Sequence, residues 1–197
     1  SSDVCSSDLD SFAHIGSRFD ADGDGKPEIV FYNGFRAGED IVPGPDRKGD
    51  GWDRYEGSEA KALGIQNLAE HGAQGRGVMI DLHAHFGRKR HAVSFSDLQK
   101  IIEIDNVKIE RGDIVCLHTG FAEMVMEFRK NPTPEALHNT CTGLDGRDEK
   151  LLQWISDSGL AVLAADNYAV ELFSTTPWKA ETHAMLPLHQ HCLFKNG

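Results

Sequence analysis

The chain has 197 residues, of which 40% are hydrophobic and 26% are charged. This composition is typical of a folded globular domain and excludes a disordered or fibrous chain. Asp and Glu outnumber Lys and Arg by 31 to 20, which gives a formal net charge of −11. We therefore expect no nucleic-acid partner and no anionic membrane partner, because both need a basic face. No apolar run approaches the roughly 20 residues of a membrane-spanning helix.

Strand-like and helix-like segments alternate along the chain. Short apolar runs bounded by Gly, Asp or Asn predict four strands, at Glu28–Tyr32, Val78–Leu82, Asp113–Leu117 and Leu160–Ala165. Apolar residues at helical spacing predict three helices, at Ser58–His71, Asp97–Ile104 and Asp148–Ser158. Alternating strands and helices predict the α/β class, in a single domain.

Several local signals mark where these helices begin and end. Ser96 and Gln99 have the spacing of a capping box at the start of the second helix, and Gly72 and Gly159 are suited to end the first and third. Residues 35–57 are rich in Gly, Asp and Pro, which predicts a long loop. A loop of that length in a compact domain is more often functional than idle.

The ends of the chain and its cysteines carry a second set of expectations. The four cysteines are scattered and form no C-x-x-C pair, and no signal-peptide pattern is present. A reduced, cytoplasmic protein is therefore expected. Residues 1–9 read SSDVCSSDL, a low-complexity stretch. We interpret residues 1–9 as a non-native leader and residues 10–197 as the domain.

An acidic segment, Asp20-Ala-Asp22-Gly-Asp24-Gly25, resembles the start of a calcium loop. Carboxylates at alternate positions and a Gly at the turn are what such a loop needs. A calcium loop of the EF-hand type also needs a Glu at its twelfth position, which here is Phe31. An acidic turn that leads into a strand is the alternative.

Histidines next to a predicted strand end form another candidate site. Asp81-Leu82-His83-Ala84-His85 would put two imidazoles on one side of the chain. Metal-dependent amidohydrolases use such a pair, but their barrel needs roughly 250 residues. A pocket-lining or positioning role is therefore favoured over metal ligation, with exposed histidines as the alternative.

A third candidate combines the two ends of the chain. Asp10 and His14 are separated by three residues, so one turn of chain can bring both to a common centre. His189, in the segment Pro187–His191, offers a further imidazole. An N-terminal pair with a distant His is a normal way to build a closed metal site.

Six segments, in this order, resemble the cyclase family of metal-dependent hydrolases, to which bacterial kynurenine formamidase belongs. They are DSFAHIG at Asp10–Gly16, YNG at Tyr32–Gly34, GRGVMIDL at Gly75–Leu82, RGDIVCLHTG at Arg111–Gly120, AADNYAVE at Ala164–Glu171 and PLHQHCL at Pro187–Leu193. The resemblance covers almost everything from Asp10 to Gly197. It implies the swivelling β/β/α fold of that family.

The resemblance also implies roles for individual residues. The family signature H-x-G-T-H-x-D-x-x-x-H makes Asp10 a ligand of zinc or manganese and His14 the catalytic acid/base. The two leading histidines of the signature fall on Val4 and Asp8, where this chain departs from it. His189 matches a C-terminal ligand His, and the family's ligand Glu would follow Gly197. The resemblance therefore implies a metal site that keeps Asp10 and His189, in a fragment that is incomplete at both ends and inactive by itself.

The activity implied is metal-dependent hydrolysis of a small aryl formamide, lactam or lactone. The nearest example is arylformamidase, which converts N-formylkynurenine to kynurenine and formate in tryptophan catabolism. Phe12 and residues 31–35 could flank an aryl substrate, or pack in the core. Members of this family are commonly homo-oligomers, so the resemblance also implies a homo-oligomer. The alternative is a non-catalytic metal- or calcium-binding domain of the same fold.

Polar residues after two predicted strands leave further alternatives open. Asp166, Asn167 and Glu171 could orient a ligand imidazole, or cap a short helix near Tyr168, which we favour. Thr119 and Gly120 are interpreted first as a turn.

Overall fold

The computed structural model describes residues 10–43, 58–129, 131, 133–173 and 184–197. The chain divides into two compact units. The hairpin unit comprises residues 10–73 and 189–197, and the sheet unit comprises residues 74–188. The predicted leader at residues 1–9 and most of the predicted loop at residues 35–57 lie outside the described residues.

The hairpin unit is built from two antiparallel strand pairs. Strand β1 (Ser17–Phe19) pairs with β2 (Glu28–Val30), and β3 (Ile41–Pro43) pairs with β4 (Ser58–Ala60). A 3₁₀ turn at Tyr32–Gly34, helix α1 (Gln66–His71) and a π-helical segment at Gln190–Asn196 complete it.

Aromatic and polar contacts hold the C-terminal segment on the first hairpin. Phe19 and Phe194 meet edge to face with ring centroids 6.1 Å apart. The Gln190 side-chain amide donates a hydrogen bond to Ser17 Oγ at 3.0 Å. These contacts bring the C-terminal residues into the same unit as the N-terminal ones.

The sheet unit contains a three-stranded parallel sheet in the order β5–β7–β9 and a separate parallel pair, β6–β8. The strands are β5 (Gly77–Asp81), β6 (His91–Val93), β7 (Ile114–His118), β8 (Thr142–Leu144) and β9 (Val162–Ala165). The helices are α2 (Leu82–Phe86), α3 (Phe95–Ile104), α4 (Phe121–Glu127), α5 (Pro134–Asn139), α6 (Glu149–Ser158) and the short α7 (Pro187–His189), whose last residue belongs to the hairpin unit.

Alternation along the central strand explains which residues form the core. In β7, Val115 and Leu117 are buried, whereas Ile114, Cys116 and His118, which alternate with them, are partly exposed. Ile80 from β5 and Ala165 from β9 are buried in register with Leu117. The amphipathic helices α3 and α6 bury Leu98, Ile101, Leu151 and Ile155. Successive strand residues point to opposite faces, so this pattern gives the sheet one apolar, covered face.

The four predicted strands are present, with ends shifted by at most two residues, and the α/β class is confirmed. Helix α6 is also confirmed, with Asp148 accepting hydrogen bonds from the N–H groups of Lys150 and Leu151. Gly159 ends α6 with φ +63°, in the left-handed region that glycine tolerates best.

Two helix predictions need correction. The capping box of α3 uses Ser94 and Asp97, not Ser96 and Gln99, because the helix begins two residues earlier than predicted. The predicted helix at Ser58–His71 is helical only at Gln66–His71. Its first residues instead pair with β3, so a tertiary strand pairing overrides local helical spacing. Gly72 ends α1 as predicted, with φ +69°.

The predicted short helix near Tyr168 is wrong, because the chain there forms a turn. The Asn167 side-chain oxygen accepts the Val170 N–H at 2.7 Å, which satisfies the turn internally. Asp166 instead accepts the N–H groups of Thr119 and Ala122, so it stabilises the start of α4. Thr119 and Gly120 form the predicted turn, with Gly120 preceding α4 at φ +76°.

Among the described residues, no helix combines the length and the apolar character that crossing a membrane requires.

Candidate metal centre

Asp10, His14 and His189 come together in the hairpin unit. Nε2 of His189 lies 3.4 Å from Oδ2 of Asp10, and Nε2 of His14 lies 3.7 Å from Oδ1 of Asp10. The three potential ligand atoms all lie within 4.8 Å of one another. The structure thus assembles every residue that the sequence assigned to the site.

A tight turn explains how two of these residues meet. The His14 N–H donates to the Ser11 carbonyl at 2.9 Å, and the Ala13 N–H donates to Ser11 Oγ at 3.3 Å. This turn folds the chain back so that His14 approaches Asp10. His189 is the last residue of α7, and the contact between Gln190 and Ser17 fixes the chain directly after it.

Burial differs strongly among the three side chains. The His189 side chain is 9% exposed and that of Asp10 is 21% exposed, whereas that of His14 is 47% exposed. Burial alone would raise the pKa of Asp10. The hydrogen bond with His189 and the nearby imidazoles of His14 and His189 act in the opposite direction, and the net effect lowers that pKa. Asp10 is therefore an ionised carboxylate at neutral pH, placed between two imidazoles.

The donor set fits a divalent metal. Zinc binds His nitrogen and carboxylate oxygen at about 2.0–2.2 Å with tetrahedral angles, which places neighbouring ligand atoms roughly 3.4 Å apart. The two donor distances of 3.4 and 3.7 Å at Asp10 are close to that spacing. Imidazole nitrogen and carboxylate oxygen are accepted by zinc, and carboxylate oxygen suits manganese. How the roles of ligand and acid/base divide among the three residues stays a prediction.

The acidic loop between β1 and β2 holds a second group of carboxylates. Ligand oxygens of Asp20, Asp22 and Glu28 lie within 4.8 Å of one another. The Arg36 guanidinium lies 3.3 Å from Asp22 and 3.8 Å from Glu28, so a positively charged side chain of the protein already pairs with two of these carboxylates. Asp20 turns inward and accepts the N–H groups of Gly23 and Gly25. This arrangement matches the predicted acidic turn that leads into a strand.

The predicted histidine pair at the end of β5 does not share one side. Helix α2 begins at Leu82, so His83 and His85 are helical residues two positions apart and face different directions. His83 packs against the His118 ring, with centroids 5.4 Å apart. His85 pairs with Asp105 at 2.9 Å.

Two contacts were not predicted from the sequence, although Glu171 was named there as a residue that could orient a ligand imidazole. Glu171 is buried, and its Oε2 accepts the Leu188 N–H at 3.3 Å, so it positions the residue that precedes His189. Asp81 and His118, at the carboxyl ends of β5 and β7, form a hydrogen-bonded pair at 2.9 Å. The available signal was the position of both residues at the ends of parallel strands, where ligands commonly bind.

Comparison with known proteins defines the class. The Cyclase family model, described as "Putative cyclase", matches residues 5–172. The chain therefore belongs to the cyclase family, and the resemblance seen in its sequence is confirmed. The match includes Asp10 and His14 and ends before His189.

A solved structure supports the same fold. The crystal structure of a novel cyclase aligns with a TM-score of 0.58 at 23% sequence identity, covering 94% of this chain and 50% of the other. The chain thus spans half the length of that protein. A search among curated proteins finds no match.

Proposed function

We propose that this chain is a domain of a metal-dependent hydrolase whose substrate is a small aryl formamide, lactam or lactone, and that it is inactive until the two signature histidines are restored. N-formylkynurenine is the first substrate to test. The observation that carries the proposal is the convergence of Asp10, His14 and His189 within 4.8 Å. Membership of the cyclase family makes an enzyme the expected class.

Asp10 and His189 are the residues that would hold the metal. A divalent ion bound there supplies Lewis acidity toward a carbonyl oxygen and lowers the pKa of water toward neutrality. His189 is the buried imidazole, and Asp10 stays ionised because its pKa is lowered by the two histidines despite its burial. A buried, charged donor set needs little rearrangement before it binds a cation.

His14 is the residue that would move the proton. Its side chain is the most exposed of the three, which leaves its ring accessible to water and substrate. In the proposed reaction, the oxygen of water forms a bond with the carbonyl carbon and the bond to nitrogen or oxygen breaks. His14 Nε2 takes a proton from that water and returns it to the leaving amine or alkoxide.

The aromatic residues near the N-terminus give partial support to an aryl substrate. Phe12 is 37% exposed and packs against Tyr32, with ring centroids 5.0 Å apart, so it could present an aromatic surface. Phe31 is buried in the core and is not available for this role.

A gain-of-function experiment tests the proposal. The unaltered chain is compared with a Val4→His, Asp8→His double variant, which restores the two histidines of the family signature. We expect the double variant to bind zinc or manganese at least about 10-fold more tightly. Loss of a residue that only hydrogen-bonds to a metal ligand already costs about 10–100-fold in affinity, so two added ligands should change affinity by at least the lower end of that range. We also expect it to hydrolyse N-formylkynurenine faster, as followed by absorbance. Both gains should vanish with Asp10→Asn and persist with His71→Ala, a control at an exposed imidazole bonded to Asn67.

Two outcomes would overturn the proposal. One is tight metal binding by the double variant without turnover of formamide, lactam or lactone substrates. The other is metal binding that is indifferent to both Asp10→Asn and His189→Ala.

A non-catalytic calcium-binding domain is the second candidate. The close approach of Asp20, Asp22 and Glu28 favours it, and the ion pairs of Arg36 with Asp22 and Glu28 disfavour it.

We also propose that the hydrolase forms a homo-oligomer in the cytoplasm. Free thiols at Cys116 and Cys141 are compatible with a reducing compartment, and size-exclusion chromatography would report the oligomer.

A further inference from the structure

A second group of side chains of the types that bind metals lies in the sheet unit, at the carboxyl end of the parallel sheet. Asp81 ends β5 and His118 ends β7, and the two residues are direct partners in the strand register. Oδ1 of Asp81 lies 2.9 Å from Nδ1 of His118. This cluster belongs to the sheet unit, whereas Asp10, His14 and His189 belong to the hairpin unit.

The pairing with Asp81 fixes the proton of the His118 ring. A carboxylate can only accept a hydrogen bond, so the ring places its proton on Nδ1 and keeps the lone pair of Nε2 available. Oδ1 of Asp81 also accepts the Ala84 N–H at 2.9 Å, which holds the carboxylate in place against the His118 ring.

A second ligand atom faces that lone pair. Oε1 of Glu123, in the first turn of α4, lies 3.9 Å from Nε2 of His118. Ligand atoms that share one tetrahedral zinc are roughly 3.4 Å apart. The Glu123 side chain is 61% exposed, so a small rotation closes the difference without disturbing the core.

The surroundings of His118 hold its ring in place. The His83 ring lies edge-on to it at an angle of 61°. His83 in turn rests on Gly120, where an added Cβ would come within about 2.3 Å of Nδ1 of His83. The absence of a side chain at Gly120 thus makes room for the imidazole that covers His118. A ligand fixed by packing and by a hydrogen bond is organised before the ion arrives.

We propose that Nε2 of His118 and Oε1 of Glu123 bind a divalent transition-metal ion such as zinc, with Asp81 as the positioning residue and water in the remaining positions. A carboxylate that holds the second nitrogen of a ligand histidine is a common partner in metal sites. The imidazole and carboxylate pair suits zinc, nickel and copper. Two protein ligands leave the ion open and exchangeable.

Zinc titration by isothermal calorimetry tests the site. The starting protein carries His189→Ala, which removes the buried imidazole of the Asp10 cluster. We expect one zinc per chain, at least about 10-fold weaker binding with Glu123→Gln, and loss of binding with His118→Ala. Glu123→Gln replaces an exposed group, so its effect does not depend on folding. His85→Ala, which removes a different paired imidazole in α2, is the matched control and should bind as the starting protein does.

The role of Asp81 has its own readout. Asp81→Asn keeps an oxygen to accept the Ala84 N–H, so the start of α2 is preserved. We expect this variant to bind zinc about 10–100-fold more weakly. Nitrogen-15 NMR shifts should show that the His118 ring no longer carries its proton solely on Nδ1, and Asp81→Glu should restore part of the affinity. Unchanged zinc binding in Glu123→Gln and His118→Ala, or an equal loss in His85→Ala, would overturn the proposal.

Discussion

Exposure separates the two histidines that flank Asp10. His189 is almost enclosed, and its nitrogen lies closer to the carboxylate than that of His14 does. An enclosed imidazole suits a fixed ligand, whereas an accessible one can exchange protons with water and substrate. This contrast supports the division of roles that the sequence resemblance implies.

Replacing His14 tests that division directly. In the Val4→His, Asp8→His protein, His14→Ala should lower the turnover number at least about 100-fold, because general acid–base catalysis contributes 10²–10⁴-fold. Bound metal, measured by mass spectrometry, should remain nearly unchanged. His71→Ala serves as the control for loss of an imidazole. A loss of stoichiometric metal in His14→Ala would make His14 a third ligand and overturn its assignment as acid/base.

The sequence could predict these residues to different degrees. Asp10 and His14 are close in the chain, so their spacing already indicates a shared centre. His189 required the family resemblance, because nothing local links it to the N-terminus. The pair of Asp81 and His118 depends on the register of two strands far apart in the chain, which sequence patterns do not specify.

At the scale of the elements, Gly120 joins β7 to α4, and two separate features of this position require a glycine. Its φ of +76° is unfavourable for other residues, and His83 occupies the space of a side chain. Gly112 has a similar φ of +87° but nothing within 4 Å of an added Cβ. The two positions therefore separate the cost of backbone conformation from that of steric conflict.

Alanine substitutions at these glycines should differ. Gly112→Ala should lower the free energy of unfolding by about 1–2 kcal/mol, the cost of a left-handed conformation. Gly120→Ala should lower it further, because His83 must move. Urea unfolding of both variants gives the comparison. Equal losses would show that the His83 ring moves aside freely, which would also weaken the proposed support of His118.

An ion pair between Arg76 and Asp113 joins the starts of the neighbouring strands β5 and β7. Asp113, just before β7, is buried. It accepts hydrogen bonds from Nε and Nη2 of Arg76, the residue before β5, at 2.9 and 2.6 Å. The hydrogen bonds from Arg76 and then from the Glu110 N–H lower the pKa of Asp113 below its ordinary 3.8. The stabilisation is therefore fully present above pH 3.8 and is lost as the pH falls through the lowered pKa.

Asp113→Asn should accordingly destabilise the protein most at neutral pH. The difference in urea midpoint from the unaltered chain should be largest at pH 7 and should shrink as the pH falls below 3.8. Asp157→Asn, at an exposed carboxylate that accepts a hydrogen bond from Gln153, is the control and should show no comparable trend. A difference that stays constant with pH would mean that Arg76 does not depend on the charge of Asp113.

The elements were predictable where one local signal dominates. Asp148 and Gly159 bound α6 because capping chemistry acts over a few residues. The prediction of a helix over Ser58–His71 was wrong because the first residues of that segment pair with β3. The prediction of a helix near Tyr168 was wrong because Asp166 accepts hydrogen bonds at the start of α4. In both failures, a partner distant in the sequence decides the conformation.

At the scale of the whole molecule, the proposed metal ligands come from opposite ends of the chain. Asp10 and His189 meet only after the hairpin unit has formed, so the unfolded chain offers no matching site. A ligand that binds the folded state alone raises its stability by mass action. Metal binding at this site should therefore appear in the thermal unfolding of the chain, which also separates the two candidate functions.

The last prediction concerns that thermal transition, measured by circular dichroism in a His118→Ala background to silence the second proposed site. Zinc or manganese at about 100 times its dissociation constant should add about 2.7 kcal/mol and raise the midpoint by roughly 5–10 °C. The shift should vanish with Asp10→Asn and His189→Ala. Calcium should have no effect, because Arg36 already pairs with Asp22 and Glu28. A rise with micromolar calcium that Asp22→Asn and Asp24→Asn remove, together with indifference to zinc and manganese, would instead identify a calcium-binding domain.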